Sequence, residues 1–178
     1  EIIKTLYSTG NFKNIEIEYI GDEIILIIEE NPSINKITFY GNKRFKKDEI
    51  FEIFDRKKYF KTFNEFDINN FINDLKNLYG AYGYNIVDID YKVESVEDSD
   101  RLVDITFNVN EGQISKINSI NFIGNNSFGN SKLKSIIKSK TRNFLRPLAN
   151  INYKKFQILE DKKKIINFYK ENGFRDIE

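Results

Sequence analysis

Histidine and cysteine are both absent from the 178 residues. That removes the commonest general base, the commonest metal ligand and the thiolate nucleophile together, and with them most zinc and copper chemistry. Carboxylates, amines and aromatic rings remain. Asp88, Asp90, Asp98, Asp100 and Asp104 lie close in sequence, and calcium needs several convergent oxygens of this kind. No Asp-x-Asp-x-Asp-Gly loop frames them, and alternating Asp on a strand pattern reads as a solvent face. Arg56-Lys57-Lys58-Tyr59-Phe60-Lys61 interleaves cations with aromatics, as a single-stranded nucleic-acid site does. A solvated or partner-contacting loop fits the same residues. Gly41 and Gly124 sit in neither a G-x-G-x-x-G nor a Gly-Lys-Ser/Thr context, so they read as turns that end strands. Carboxylates are plentiful, but nothing brackets a pair with oxyanion donors or a nucleophile. The chain therefore reads as a binding protein, not an enzyme, with no cofactor and no metal.

Charged residues make up 31% of the chain and the net charge is +1, so no global field draws it to nucleic acid or to an anionic membrane. No apolar run approaches the length of a membrane span. The chain opens inside a helical pattern and contains no Met, so it reads as a piece of a longer protein.

The elements that must carry any site come in repeats. Residues 34–50 and 117–133 align without gaps with seven identities in seventeen positions. Ile34, Asn35, Ile37, Phe39, Gly41, Asn42 and Phe45 recur as Ile117, Asn118, Ile120, Phe122, Gly124, Asn125 and Phe128. A second element recurs three times, with a Tyr shortly before a Gly and an aromatic after it: Tyr7-Gly10-Phe12, Tyr79-Gly83-Tyr84 and Tyr169-Gly173-Phe174. The first motif is offset by 83 residues and the second by 90, which places about seven extra residues in the connection that contains 141–150. A period of this length suits a string of small domains.

Residues 1–9 read as a helix end capped at Gly10. Phe12 to Tyr19 alternates as a half-buried strand, Gly21-Asp22 turns, and the Ile24–Ile28 run reads as a more central strand. Residues 34–40 form a strand and 48–54 a short helix. Asp67 is the expected N-cap of a long helix whose stripe is Ile68, Ile72, Leu75, Tyr79 and Tyr82. Tyr84 to Val93 alternates, with Val87, Ile89, Tyr91 and Val93 on one side and Asp88, Asp90 and Lys92 on the other. After a polar turn at 97–100, Val103, Ile105, Phe107 and Val109 alternate in the same way. The third copy repeats strand 117–123, a short helix near 131–139 and a long helix from about Asn152 to Asn172, with Gly173-Phe174 opening the next strand. The unit is β-α-α-β-β: an α+β, two-layer fold with a three-stranded mixed sheet covered by two helices. One strand of such a sheet lies at an edge and offers unpaired backbone groups to an extended partner segment.

This order resembles the POTRA domain, the polypeptide-transport-associated module of outer-membrane assembly proteins, in tandem. An Ile-x-Phe-x-Gly-Asn motif follows Pro32, and Glu111-Gly112 closes the unit. The Thr9-Gly10-Asn11-Phe12 turn and the Glu29-Glu30-Asn31-Pro32 linker are similar to those of the BamA family of β-barrel assembly proteins. The resemblance implies residues 1–31 as the second half of a first domain, 32–112 as a complete second and 113–178 as a third without its closing hairpin. It implies a location in the periplasm of a Gram-negative bacterium, as part of an outer-membrane protein. The implied partners are unfolded outer-membrane proteins, accessory lipoproteins of the assembly complex and a membrane barrel in the same chain; nucleic acid is not among them. Strand addition is expected at Tyr84, Ile86, Asp88, Ile89, Asp90, Tyr91 and Val93, and at Phe12–Tyr19 in the first unit. Interdomain hinges are expected at Asn31-Pro32 and Glu111-Gly112. The alternative is a KH-like module for single-stranded nucleic acid, although that fold needs a G-x-x-G loop and no Gly lies between Gly41 and Gly80.

Overall fold

The computed structural model describes residues 2–141, 151–175 and 177; the connection at 142–150, where the sequence places most of the insertion, lies outside them. The chain divides into two compact units, residues 1–76 with 88–111 and residues 77–87 with 112–178.

The first unit opens with α1 (Ile2–Ser8) and an antiparallel pair, β1 (Phe12–Ile20) and β2 (Glu23–Glu30). The Ile24–Ile28 run does not form a central strand. Among the described residues β2 is bonded only to β1, and Ile24 stays 65% exposed. In the complete repeat the corresponding strand is flanked on both sides, which is why the same composition reads as central there and stands open here.

That complete repeat runs β3 (Ser33–Tyr40), α2 (Lys47–Ile53), α3 (Arg56–Tyr59), α4 (Glu65–Ala81), β4 (Asp88–Val96) and β5 (Ser99–Asn110). The sheet order is β3-β5-β4. β5 runs parallel to β3, with Ile105 beside Ile37, and antiparallel to β4, with Val109 beside Ile89. Val103, Ile105, Phe107 and Val109 of the central strand are all buried, as their alternation requires. Ile68, Phe71, Ile72 and Leu75 of α4 close over them. Phe71 is the hub: its ring centroid lies 4.7–6.2 Å from those of Phe39, Phe54, Tyr59, Phe60 and Phe107. Edge-to-face and tilted pairs of this kind add to the stabilisation from burial alone.

Several boundaries differ from the pattern in the sequence. The long helix begins at Glu65, because Asn64 rather than Asp67 receives the first free amide: Phe66 N–H donates to Asn64 Oδ1 at 2.8 Å. Tyr82 falls in the turn after the helix and is 41% exposed. Gly83 adopts φ +99°, and the Tyr84 N–H folds back to the Tyr79 carbonyl at 3.0 Å. That bond draws Tyr84 into the helix cap, so β4 starts at Asp88 and not at Tyr84.

The second unit contains α5 (Asn130–Ile136) and α6 (Lys155–Glu171), with Leu133 and Ile137 buried. Residues 117–123 form no strand; only a bridge between Lys116 and Asn152 is present. The reason lies in the topology. Among the described residues the strand partner of β3 is β5, and with the 90-residue offset the equivalents of β4 and β5 would begin at Glu178. Residues 117–123 therefore have no ladder partner among the described residues. Phe174 likewise opens no strand, and its ring packs on Phe128 and Tyr169 at 6.0 and 5.4 Å.

The repeated motif has one physical basis in both units. Gly41 and Gly124 each take φ +79°. Asn42 Nδ2 then donates to the Phe45 carbonyl at 2.9 Å, and Asn125 Nδ2 to the Phe128 carbonyl at 2.8 Å. The long helices diverge at one core position: where α4 has Phe71, α6 has Asp161, which is 4% exposed. Its carboxylate accepts the backbone N–H groups of Lys138 and Ser139, both at 2.8 Å. Burial pushes this carboxyl up. The hydrogen bonds from Ser139 and Lys138 and the Lys164 ammonium outweigh that and hold it below the ordinary carboxylate range. The Ser139 hydroxyl has no aligned partner, so the two amides carry most of the interaction.

Candidate functional site

Four strand edges are available among the described residues, and they differ in how far they are closed. The outer edge of β3 is blunted twice. Its N-terminal end is covered by the Ser33–Thr62 bridge, and the Phe63 N–H donates to the Pro32 carbonyl at 2.7 Å. At its middle the Lys47 ammonium donates to the Ile37 carbonyl at 2.6 Å. A Lys placed on an edge in this way removes an acceptor from any incoming strand. The β1 edge, the second site expected from the sequence, is closed at one point, where the Ile15 N–H donates to the Tyr7 hydroxyl at 3.0 Å. The free side of β2 corresponds to the side of β5 that β3 occupies in the complete repeat.

The outer edge of β4 carries no such closure. Among the described residues, only β5 bonds to its backbone. The strand spans nine residues, long enough for an added strand to form a ladder on its outward groups. On the inner face Ile89 is buried and Tyr91 and Val93 are half-buried. The Tyr91 ring lies 6.5 Å from that of Phe63. Burial pushes the Tyr91 phenol up, and the nearby Glu65 charge adds to it, so the ring stays neutral. On the outer face Asp88, Asp90, Lys92 and Glu94 are exposed. Lys76 pairs with Asp88 at 3.4 Å, and Lys92 with Glu94 at 2.6 Å.

The structure brings five of the seven edge residues together on β4: Asp88, Ile89, Asp90, Tyr91 and Val93. Tyr84 and Ile86 lie before the strand. Tyr84 packs edge-on against Tyr79 at 5.8 Å, while Ile86 is 66% exposed. The four linker residues sit at two places. The Asn31 N–H donates to the Asn11 carbonyl at 2.8 Å and its Nδ2 to the Gly10 carbonyl at 2.9 Å, while Thr62 Oγ1 also donates to Gly10 at 3.0 Å. Glu111 Oε1 accepts the Arg44 N–H at 2.6 Å, and Gly112 adopts φ +63°. The edge closures were missed from sequence, because Lys47, Tyr7 and Thr62 lie on other elements and meet the strands only after folding.

The other candidate chemistries disperse. Tyr59 and Phe60 are each 5% exposed and pack in the Phe71 cluster, so their faces are not free for bases to stack on. Among the described residues no group of three or more acidic side chains is placed to hold a metal ion, and no helix is long and apolar enough to cross a membrane.

Comparison with known proteins bears on this architecture. The chain is 30% identical to the outer membrane protein assembly factor BamA of Neisseria meningitidis serogroup B, over 98% of its own length and 22% of that protein's. It is 28% identical to BamA of Buchnera aphidicola, over 97% of the chain and 28% of the relative. The chain thus spans about a quarter of the relatives it matches. Among solved structures, the Haemophilus influenzae BamA POTRA3-5 crystal structure is similar over 94% of this chain and 63% of that one, with TM-score 0.49 and 15% identity. The POTRA family profile, described as a surface antigen variable number repeat, matches residues 32–112 and again 115–178. Two consecutive matches covering most of the chain, on the repeat described above, establish that it belongs to the POTRA family.

Proposed function

We propose that this chain is a periplasmic, non-catalytic binding module of an outer-membrane protein assembly factor. In this reading it holds unfolded outer-membrane proteins by strand addition at β4, docks accessory lipoproteins of the assembly complex, and passes substrates to a membrane barrel belonging to the same protein. Residues 1–31, 32–112 and 113–178 are its three successive POTRA segments, and Asn31-Pro32 and Glu111-Gly112 are the joints at which their angles adjust. The observation that carries the reading is the contrast between edges: β3 is closed by Lys47 and Thr62, whereas β4 presents an open backbone row. Backbone pairing tolerates many sequences, because it does not depend on substrate side chains. A factor that handles many barrel proteins requires that tolerance.

The test is a backbone NMR titration of the isotope-labelled chain with peptides taken from outer-membrane barrel strands. Shifts concentrated on Asp88–Val96, with new exchange protection at alternate amides, are expected. Ile89→Pro and Asp90→Pro form a matched pair, because adjacent strand residues turn their N–H groups to opposite sides. The variant that removes the outward donor keeps its pairing to β5 and loses peptide binding. Undiminished binding by both variants, each shown to be folded, rules out strand addition at this edge.

A further inference from the structure

The open edge is chemically one-sided. From Asp88 through the hairpin turn at Glu97-Asp98 there are five acidic residues, Asp88, Asp90, Glu94, Glu97 and Asp98, against Lys92 alone. Asp88, Asp90 and Glu94 alternate along the outer face of β4 and are exposed. Asp88 is shared with Lys76 and Glu94 with Lys92. Asp90 has no cation: its neighbour across the ladder is Asn108, and among the described residues no hydrogen bond or ion pair reaches it. Further in, Glu94 lies directly opposite Asp104, a like-charge pair only partly offset by Lys92 on Glu94 and the Asn35 amide on Asp104. The inner face is the reverse, with Ile89, Tyr91 and Val93 continuing the core outward and Phe63 beside Tyr91.

A strand added to β4 must continue the pleat, so its residues alternate between these two environments. Those on the outer face stand beside Asp88, Asp90 and Glu94. Those on the inner face stand beside Tyr91 and Val93. Opposite charges across a ladder stabilise it and like charges in the same place oppose it. An acidic edge also speeds the approach of basic segments. We propose that the β4 edge selects its substrate segments, preferring an amphipathic strand with Lys or Arg on its outward positions and aliphatic or aromatic residues on its inward ones, with a cation seated across from Asp90. The preference rests on strand addition at β4 and adds to it a charge rule that backbone pairing alone does not supply.

The experiment uses the whole chain and synthetic peptides that share one alternating Val/Phe face and carry Lys, Ser or Glu on the other. Binding is read from β4 amide shifts at low and high salt. The Lys peptide should bind about tenfold more tightly than the Glu peptide at low salt, with the Ser peptide between them, and the spread should shrink as salt rises. Asp90→Asn should reduce the Lys advantage, and Asp90→Lys should move it toward the Glu peptide; both substitutions are on an exposed side chain. Equal binding of all three peptides on β4, or no response to either Asp90 variant, overturns the charge rule and leaves strand addition standing. Failure of every peptide to shift β4 removes strand addition itself, and the charge rule with it.

Discussion

Gly41→Ala is the substitution for which the structure gives the sharpest expectation. Gly41 ends β3 at φ +79°, and a methyl group there would run into the Val109 carbonyl oxygen. Gly124 takes the same φ at the same place in the repeat, but nothing lies within 4 Å of a methyl added to it. The left-handed conformation costs an alanine about 1–2 kcal/mol at either site. The loss of unfolded-state freedom that alanine brings returns about 0.4–1 kcal/mol. Gly124→Ala should therefore destabilise by about 0–1.6 kcal/mol. Gly41→Ala adds an overpacking term of about 1–3 kcal/mol, because Val109 is paired with Ile89 of β4, directly after the Tyr40–Asn108 pair, and cannot easily withdraw. The net loss should be about 1–5 kcal/mol. Native-state hydrogen exchange resolves the two sites, since they lie in different compact units. Ile105 and Phe107 amides should lose protection in Gly41→Ala and keep it in Gly124→Ala. Equal losses in the two variants would refute the claim that Val109 makes the position restrictive.

Asp161 makes unit 77–87 with 112–178 acid-sensitive. Its folded pKa is lowered, so its stabilisation is complete above the unfolded carboxylate pKa of about 3.9 and is lost as pH falls through the lower folded value. Asp161→Asn should remove that acid dependence and cost about 1–3 kcal/mol at neutral pH by weakening the bonds to Lys138 and Ser139, as read from urea unfolding across pH. Lys47→Ala should leave stability within about 1 kcal/mol while exposing the Ile37 carbonyl on β3, and sedimentation velocity should then detect more concentration-dependent self-association than in the parent chain.

The fold could be read from the sequence where a local pattern and its tertiary partner agree. The alternation of Val103 to Val109 gave a buried strand because β3 and β4 flank it on both sides. Ile24–Ile28 forms a strand but pairs on one side only, and at 117–123 the periodicity is intact while no ladder partner lies among the described residues. A strand is a property of a pair, and one chain segment reveals only its half. The start of β4 was misplaced because the Tyr84 amide is claimed by the cap of α4, a competition that residue types alone do not reveal. Phe71, three residues after Ile68, is fully buried beside Ile72, so the buried face of α4 is wider than the stripe of Ile68, Ile72, Leu75 and Tyr79. The edge itself was legible as a topological necessity. What closes the competing edges was not, because Lys47 and Thr62 reach β3 and its leading end through space.

The contacts around Gly10 and Gly83 have a bearing on how such chains can change over evolutionary time. At the first, the Phe63 N–H meets the Pro32 carbonyl and Ser33 bridges Thr62; at the second, the Tyr153 N–H meets the Ser115 carbonyl at 2.8 Å and Lys116 bridges Asn152. The residues differ at every one of these positions, and the main-chain geometry is the same. A fastening made of peptide groups is indifferent to side-chain drift, so duplicated repeats can diverge, exchange or accept an insertion upstream of it without losing their seat. It is not indifferent to excision. A shortened protein that begins after Pro32 would leave the Phe63 amide without its acceptor, and a recombinant gene would keep the joint only if its crossover fell inside a repeat rather than at its apparent border.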